Sequence, residues 1–320
     1  MLGLVALNAV LSVQISDSMA KRLFHTYRNP QLFDRDVRIR YNEFLPSGGD
    51  TSSKKSPIVC IHGFGGNADQ WRYNLPALQF AGHRSYAVDL LGYGYSDKPD
   101  PRLYPVNSIY NFENWASQTV DFIQKVVKEP CYLVCNSVGG CVGLQAAVTH
   151  PELVKGVVLI DISLRMLNVK KQAPLIRPVV KCIQYVLRET PAGGFFFSQV
   201  AERRLLRSVL ETAYAGDVDD ETVDIILQPG LLPGADRVFL DFISYSGGPL
   251  PEELLEKCTR PVRMLWGEND PWEPIGMGRE LARNAPRVVD EFVSLPGGGH
   301  CPMDQIPEDV NREILRFCAL

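Results

Sequence analysis

Cys131-Tyr132-Leu133-Val134-Cys135-Asn136-Ser137-Val138-Gly139-Gly140 decides how this chain reads. The first half is a short apolar, β-rich run, the mark of a buried strand. The second half turns on small residues and opens into 138–150, which has helical character. Small-x-Ser-x-Gly between a strand and a helix fits a nucleophile turn. Such a turn is sharp and strains the backbone at the serine. Bulky residues two positions to either side would collide with the adjoining strand and helix. Cys135 stands where glycine is usual; it is small enough, but a tighter fit. The helix start supplies backbone N–H groups and a positive dipole end. A serine at this spacing also arises by chance, so its surroundings carry the weight.

Those surroundings alternate strands and helices. Residues 37–41 alternate polar and apolar and read as an edge strand. A Gly/Ser/Lys run at 48–55 reads as a hairpin tip. Strands are expected at Ile58–Ile61, 85–90, 131–135 and 157–162, with helices at 68–80, 112–128 and 138–150. This rhythm implies βαβ units and a parallel sheet. From 163 to 258 the strand signal stops. Apolar positions there recur at helical spacing in 175–187, 205–213 and 238–244, punctuated by prolines. After Arg260 the rhythm returns, with strands at 262–266 and 288–295 and helices at 276–283 and 310–317. The expected division is an N-terminal segment of uncertain role at 1–30, a core at 31–162 and 259–320, and a helical insertion at 163–258. No internal repeat is visible.

Composition narrows the function. The 320 residues carry 33 Lys and Arg against 37 Asp and Glu, a net charge of −4 with no charged tail. That argues against nucleic acid as a partner. No apolar stretch reaches the ~18 residues of a membrane-spanning helix. Eight cysteines form no CxxC pair, so no zinc site is expected, and reduced, mostly buried thiols are. Residues 1–13 are apolar like the middle of a signal peptide, without a basic flank or cleavage site; a docked or frayed segment and a targeting remnant both stay open. Within the insertion, 163–190 carries six basic residues against one acidic, and 202–224 three against seven. Solvated helix faces explain such runs, and the basic one could also meet an anionic membrane surface.

Three further signals join Ser137. His62-Gly63-Phe64-Gly65-Gly66 follows the strand Ile58–Ile61, and its glycines let N–H groups face an oxyanion. The expected donors are the N–H of Val138 and one from this loop, that of Phe64. Asp270, in 266–272 just beyond a strand, is the candidate acid to orient a histidine; Glu268 and Asp161 are its rivals. His300 lies on the Gly-rich loop 297–302 between the last strand and helix. His25 lies before the core sheet, His83 in a surface turn, His150 at a helix end and His62 in the oxyanion loop. Only His300 is left to act as general base.

The order Ser137, Asp270, His300, with the oxyanion loop upstream, is that of α/β-hydrolases. The expected fold is therefore an α/β-hydrolase, a mostly parallel, doubly wound sheet with the helical insertion as a cap enclosing the pocket. The serine excludes dehalogenases and epoxide hydrolases that use an aspartate nucleophile. No metal or phosphate motif accompanies the site, so no cofactor is implied. Phe195, Phe196, Phe197, Leu205 and Leu206 and then Ile225, Ile226, Phe239 and Phe242 offer apolar surface in the cap, for which cap-to-core packing is the plainer use.

The chain resembles the plant chlorophyll dephytylases, and more distantly the pheophytinases, both chloroplast hydrolases. The residues that carry this are Asp89-Leu90-Leu91-Gly92-Tyr93-Gly94-Tyr95-Ser96-Asp97-Lys98-Pro99 and the turn with Cys135 followed by Gly143-Leu144-Gln145-Ala146-Ala147-Val148. In the cap they are Ile162-Ser163-Leu164-Arg165-Met166-Leu167 and Tyr245-Ser246-Gly247-Gly248-Pro249-Leu250-Pro251. Asp270-Pro271-Trp272-Glu273-Pro274 and Gly299-His300-Cys301-Pro302 complete the match. The resemblance implies hydrolysis of the phytyl ester of chlorophyll at thylakoid membranes, with Ser137 as nucleophile, His300 as base and Asp270 as its partner. His62, Gly63, Gly65, Asn136, Met166 and Phe196 are expected around the substrate. No chloroplast transit peptide is recognisable, and the loop before His300 is richer in glycine than the family's. Two other readings keep the triad: a hydrolase of pheophytin or a lipid ester, and a hydrolase-fold ligand receptor.

Overall fold

The computed structural model describes residues 22–46 and 55–319. The expected hairpin tip, apart from residue 55, and the apolar segment 1–13 lie outside the described residues. In chain order the strands are β1 (Leu23–Tyr27), β2 (Val37–Phe44), β3 (Ile58–Ile61), β4 (Ser85–Val88), β5 (Cys131–Asn136), β6 (Val154–Ile160), β7 (Val262–Gly267) and β8 (Val289–Leu295). They form one sheet in the order β1-β2-β4-β3-β5-β6-β7-β8. β1 with β2 and β2 with β4 run antiparallel, and every other pair is parallel. Helices cover both faces, so the central strands bury both sides and read as near-continuous apolar runs. Along β3 the split is regular: Val59 and Ile61 join one apolar cluster, Ile58 and Cys60 the other.

The core helices are α1 (Asn74–Phe80), α2 (Phe112–Phe122) and α3 (Val138–Thr149). Between β6 and β7 every helix or strand is a helix: α4 (Arg177–Glu189), α5 (Pro191–Val200), α6 (Arg203–Ala213), α7 (Asp220–Gly230), α8 (Ala235–Ile243) and α9 (Pro251–Lys257). The chain closes with α10 (Ile275–Asn284), α11 (Pro302–Gln305) and α12 (Pro307–Cys318).

Three expectations are corrected. The sheet starts before Val37: β1 pairs along β2, and His25 on it reaches Asp121 at 2.6 Å. The helix read over 68–80 is a 3₁₀ turn at Ala68–Trp71 and a separate α1. Pro76 has no N–H for the carbonyl four residues back, so one continuous helix cannot close. His83 is buried rather than in a surface turn, its Nδ1 2.8 Å from the Ser56 carbonyl.

The Asp89 motif is a structural knot. One carboxylate oxygen accepts from the Ala68 N–H at 2.7 Å, the other from the Tyr95 N–H at 2.7 Å. Arg40 pairs with both Asp69 and Asp89 inside the protein. This knot fixes the loop that backs His62.

Candidate active site

Ser137 sits between β5 and α3, where ligand sites of open α/β sheets form at the strands' carboxyl ends. Its φ is 52° and ψ −119°, a conformation that costs a side-chain-bearing residue about 1–3 kcal/mol. Neighbouring peptides hold it there. Its N–H donates to the Ile160 carbonyl at 2.9 Å, and its carbonyl accepts from Gly140 at 2.9 Å and Ser163 at 3.1 Å. Gly63 passes so close that a Cβ on it would lie 2.9 Å from the Ser137 Cβ. Cys135 fits because the helix gives way: a Cβ on Gly143 of α3 would meet its sulfur at 2.4 Å. Burial pushes this thiol well above its ordinary range.

His300 reaches the site on the loop after β8. Its N–H donates to the Ala213 carbonyl at the end of α6, 2.7 Å away. The Asn136 amide donates to the carbonyls of His300 at 2.9 Å and Ile160 at 3.2 Å, so the residue before Ser137 also fastens the histidine loop. The ring Nδ1 lies 2.7 Å from Asp270 Oδ2. The other oxygen, Oδ1, accepts from the N–H groups of Trp272 at 2.8 Å and Glu273 at 3.1 Å. Asp270 therefore gives one oxygen to the ring and one to its own loop. Neither rival reaches His300. Glu268 is exposed and bonds Ser294; Asp161 is buried and accepts from the Gly267 N–H at 2.9 Å. Burial, then the charge of Asp270, raises the Asp161 carboxyl well above the carboxylate range.

A cavity of about 590 Å³ opens over these groups. Ser137, Val138, His300, Gly63, Phe64 and Gly65 border it, and so do Asn136 and Met166. The Val138 N–H is one of the orphaned donors of a helix start. Two expected residues are not on the wall. His62 is fully buried: its Nδ1 lies 2.7 Å from the Gly63 carbonyl and its Nε2 accepts from the Leu90 N–H at 3.0 Å. Both ring nitrogens are used, and burial lowers its pKa, so it anchors the loop instead of meeting substrate. Phe196 turns outward on α5, with its neighbour Phe197 on the wall instead. Leu206, Ile226, Phe239 and Phe242 complete the apolar lining, whereas Phe195 and Leu205 are exposed.

Two charged wall residues, Arg165 and Glu273, carry no role in the sequence reading. Glu273 is buried, its carboxyl raised to about 7 chiefly by burial, with Oε2 unpartnered. The signal was its place three residues after Asp270, in the turn that Asp270 Oδ1 closes.

The chain belongs to the alpha/beta hydrolase family, whose model matches residues 58–313. It is 27% identical over 284 residues to an uncharacterized hydrolase, YugF, of Bacillus subtilis, covering 88% of this chain and 94% of that protein. It is 25% identical over 257 residues to the chloroplastic pheophytinase of Arabidopsis thaliana, covering 68% of this chain and 47% of that protein. Among solved structures, a bromoperoxidase from Bacillus anthracis superposes with a TM-score of 0.71 at 17% identity, covering 94% of this chain and all (100%) of that one. A thermophilic esterase from Thermogutta terrifontis gives 0.65 at 21%, covering 93% and 99%. At such identities the structures speak for the fold.

Proposed function

We propose that this protein is a serine ester hydrolase that removes a long apolar alcohol, the phytyl chain of chlorophyll, through an acyl-enzyme. The observation that carries the reading is one cavity bordered by a strained serine, a carboxylate-oriented histidine and apolar side chains. Ser137 Oγ attacks the ester carbonyl and its proton passes to His300 Nε2. The N–H groups of Val138 and Phe64 hold the oxyanion, each worth ~3–4 kcal/mol in such sites. Collapse breaks the C–O bond, and the alcohol takes the proton from His300. Water, deprotonated by the same nitrogen, then releases the acid and restores Ser137. Asp270 holds the ring in the tautomer that leaves Nε2 free to accept.

The apolar half of the ester lies along Phe197, Leu206, Ile226, Phe239 and Phe242. The similarity to pheophytinase and the cap motifs support a pigment ester, and hence a chloroplast setting, among the esters such a pocket would take. A lipophilic substrate also calls for contact with a membrane. Val179, Ile183 and Val186 are exposed at helical spacing on one face of α4, and Leu175 before that helix and Phe195 on α5 are exposed too. No helix among the described residues is long and apolar enough to span a bilayer, so we read this face as lying on the thylakoid surface.

Incubation with chlorophyll a, following chlorophyllide by chromatography beside Ser137→Ala, tests the reading. Chlorophyllide from wild type alone supports it. Ser137-dependent cleavage of short esters without chlorophyllide would leave a hydrolase of other esters, and neither activity would favour a ligand receptor.

A further inference from the structure

The described chain buries five arginines, Arg40, Arg72, Arg84, Arg165 and Arg263. Four hold carboxylates: Arg40 takes Asp69 and Asp89, Arg72 takes Asp304, Arg84 takes Glu129 and Arg263 takes Asp290. Arg165 has none among the described residues. Glu113 acts on it only through its charge, Glu273 bonds Ser163 and Leu164 instead, and Glu252 and Glu253 are occupied by Lys171 and Lys170. Yet Arg165 is only 9% exposed. Its Nη2 donates to the Gly247 carbonyl, and its guanidinium lies over the rings of Phe112 at 4.1 Å and Tyr245 at 5.5 Å. Nη1 is buried with no partner. Taking a cation out of water without an opposite charge is costly. Burial alone lowers the pKa of this guanidinium.

The place of Arg165 explains the arrangement. It follows β6 in a left-handed turn at φ 56°, two residues after Ser163, whose N–H bonds the Ser137 carbonyl. It borders the cavity over Ser137 and is the only lysine or arginine among the described residues that does. An aromatic cradle fixes its plane and leaves one donor group unspent. We infer that Arg165 binds an oxygen acceptor, a carbonyl or carboxylate, on the acyl half of the ester, so that the substrate carries a second oxygen function besides the scissile group. The inference rests on the hydrolase reading and on the apolar walls taking the alcohol half.

Three p-nitrophenyl esters of one shape test it: 5-methylhexanoate, 5-oxohexanoate and the half-ester of glutaric acid. They place two methyls, a ketone or a carboxylate at the same carbon. Wild type is expected to favour one or both oxygenated esters in kcat/KM by about ten- to a hundredfold over the methyl ester, the worth of one hydrogen bond to a charged group. Which oxygenated ester leads tells ketone from carboxylate. Arg165→Met should bring all three together, and Arg165→Lys should keep part of the preference. Equal kcat/KM across the three in wild type, or a preference unchanged in Arg165→Met, would overturn the inference. An arginine that only supports the fold would lower all three alike. Loss of Ser137-dependent turnover of every ester is a different result: it would remove the hydrolase reading itself.

Discussion

Replacing Asp270 by Asn changes the site by little more than one charge and one hydrogen-bond direction. Oδ1 of the new amide can still accept from Trp272 and Glu273, so the loop keeps its shape. The amide nitrogen then faces His300 Nδ1, 2.7 Å away in the wild type. It can only donate. The ring must accept at Nδ1 and carry its proton on Nε2, the nitrogen that has to take the proton of Ser137. In sites of this design such a swap lowers kcat by about 10⁴ with the geometry intact. That is about 5 kcal/mol of transition-state stabilisation at 1.36 kcal/mol per tenfold. The assay is steady-state cleavage of p-nitrophenyl 5-methylhexanoate, with a thermal melt on the same preparation. KM should change little, because the lost interaction matters after binding. A folded Asp270→Asn enzyme within about tenfold of wild type would refute the reasoning and return Asp161 to consideration.

Other outcomes follow from single contacts. Gly143→Ala should destabilise by about 2 kcal/mol in urea melts, because the new methyl meets the Cys135 sulfur, and should cost much less in a Cys135→Ala background. Asn136→Ala strips the carbonyls of Ile160 and His300 of a buried donor; unfolding should show a loss of about 2–3 kcal/mol, with kcat falling more than KM rises. Glu273 has its folded pKa raised to about 7 from 4.5, so its ionisation opposes folding as pH climbs through that window. Glu273→Gln removes the opposition and should gain about 2 kcal/mol on wild type between pH 5 and pH 8; no gain there would contradict the burial argument. Val179→Glu with Ile183→Glu should weaken sedimentation with anionic vesicles several-fold while short-ester turnover holds, since these side chains point away from the cavity.

The central sheet was legible because its strands advertise themselves. β3, β5 and β7 are largely apolar runs, and the His62 loop, Ser137 and Asp270 lie just past them, whereas His300 follows the half-exposed β8 and stands out by its Gly-rich loop. Ser137, Asp270 and His300 could be picked out in this way, and the choice among Asp270, Asp161 and Glu268 needed only the loop's path. The elements that escaped are those whose partners define them. β1 is a five-residue edge strand of mixed polarity, recognisable chiefly by its pairing with β2. Helix α5 opens with Pro191, Gly193 and Gly194, which read as loop, though Thr190 caps it by accepting from the Ala192 N–H. α7 carries in its last turn Pro229, which reads as punctuation, though Asp219 caps the helix by accepting from the Thr222 N–H. At the site, the sequence places His62 with the loop residues that border the cavity. Only the fold reveals that Leu90 claims its second nitrogen. Arg165 lay in plain view as one of six basic residues in a charged run, and its missing acid is a fact of three dimensions.

The most direct test of the account is covalent. A fluorophosphonate probe phosphonylates a serine oxygen, with loss of fluoride, only where a general base and oxyanion donors activate it. Incubation of the purified chain, followed by intact-mass and peptide analysis, should give one adduct, on the peptide bearing Ser137. It should be absent from Ser137→Ala and strongly slowed in Asp270→Asn. An unmodified wild-type chain, or an adduct that persists in Ser137→Ala, would contradict the claim that this serine is the nucleophile.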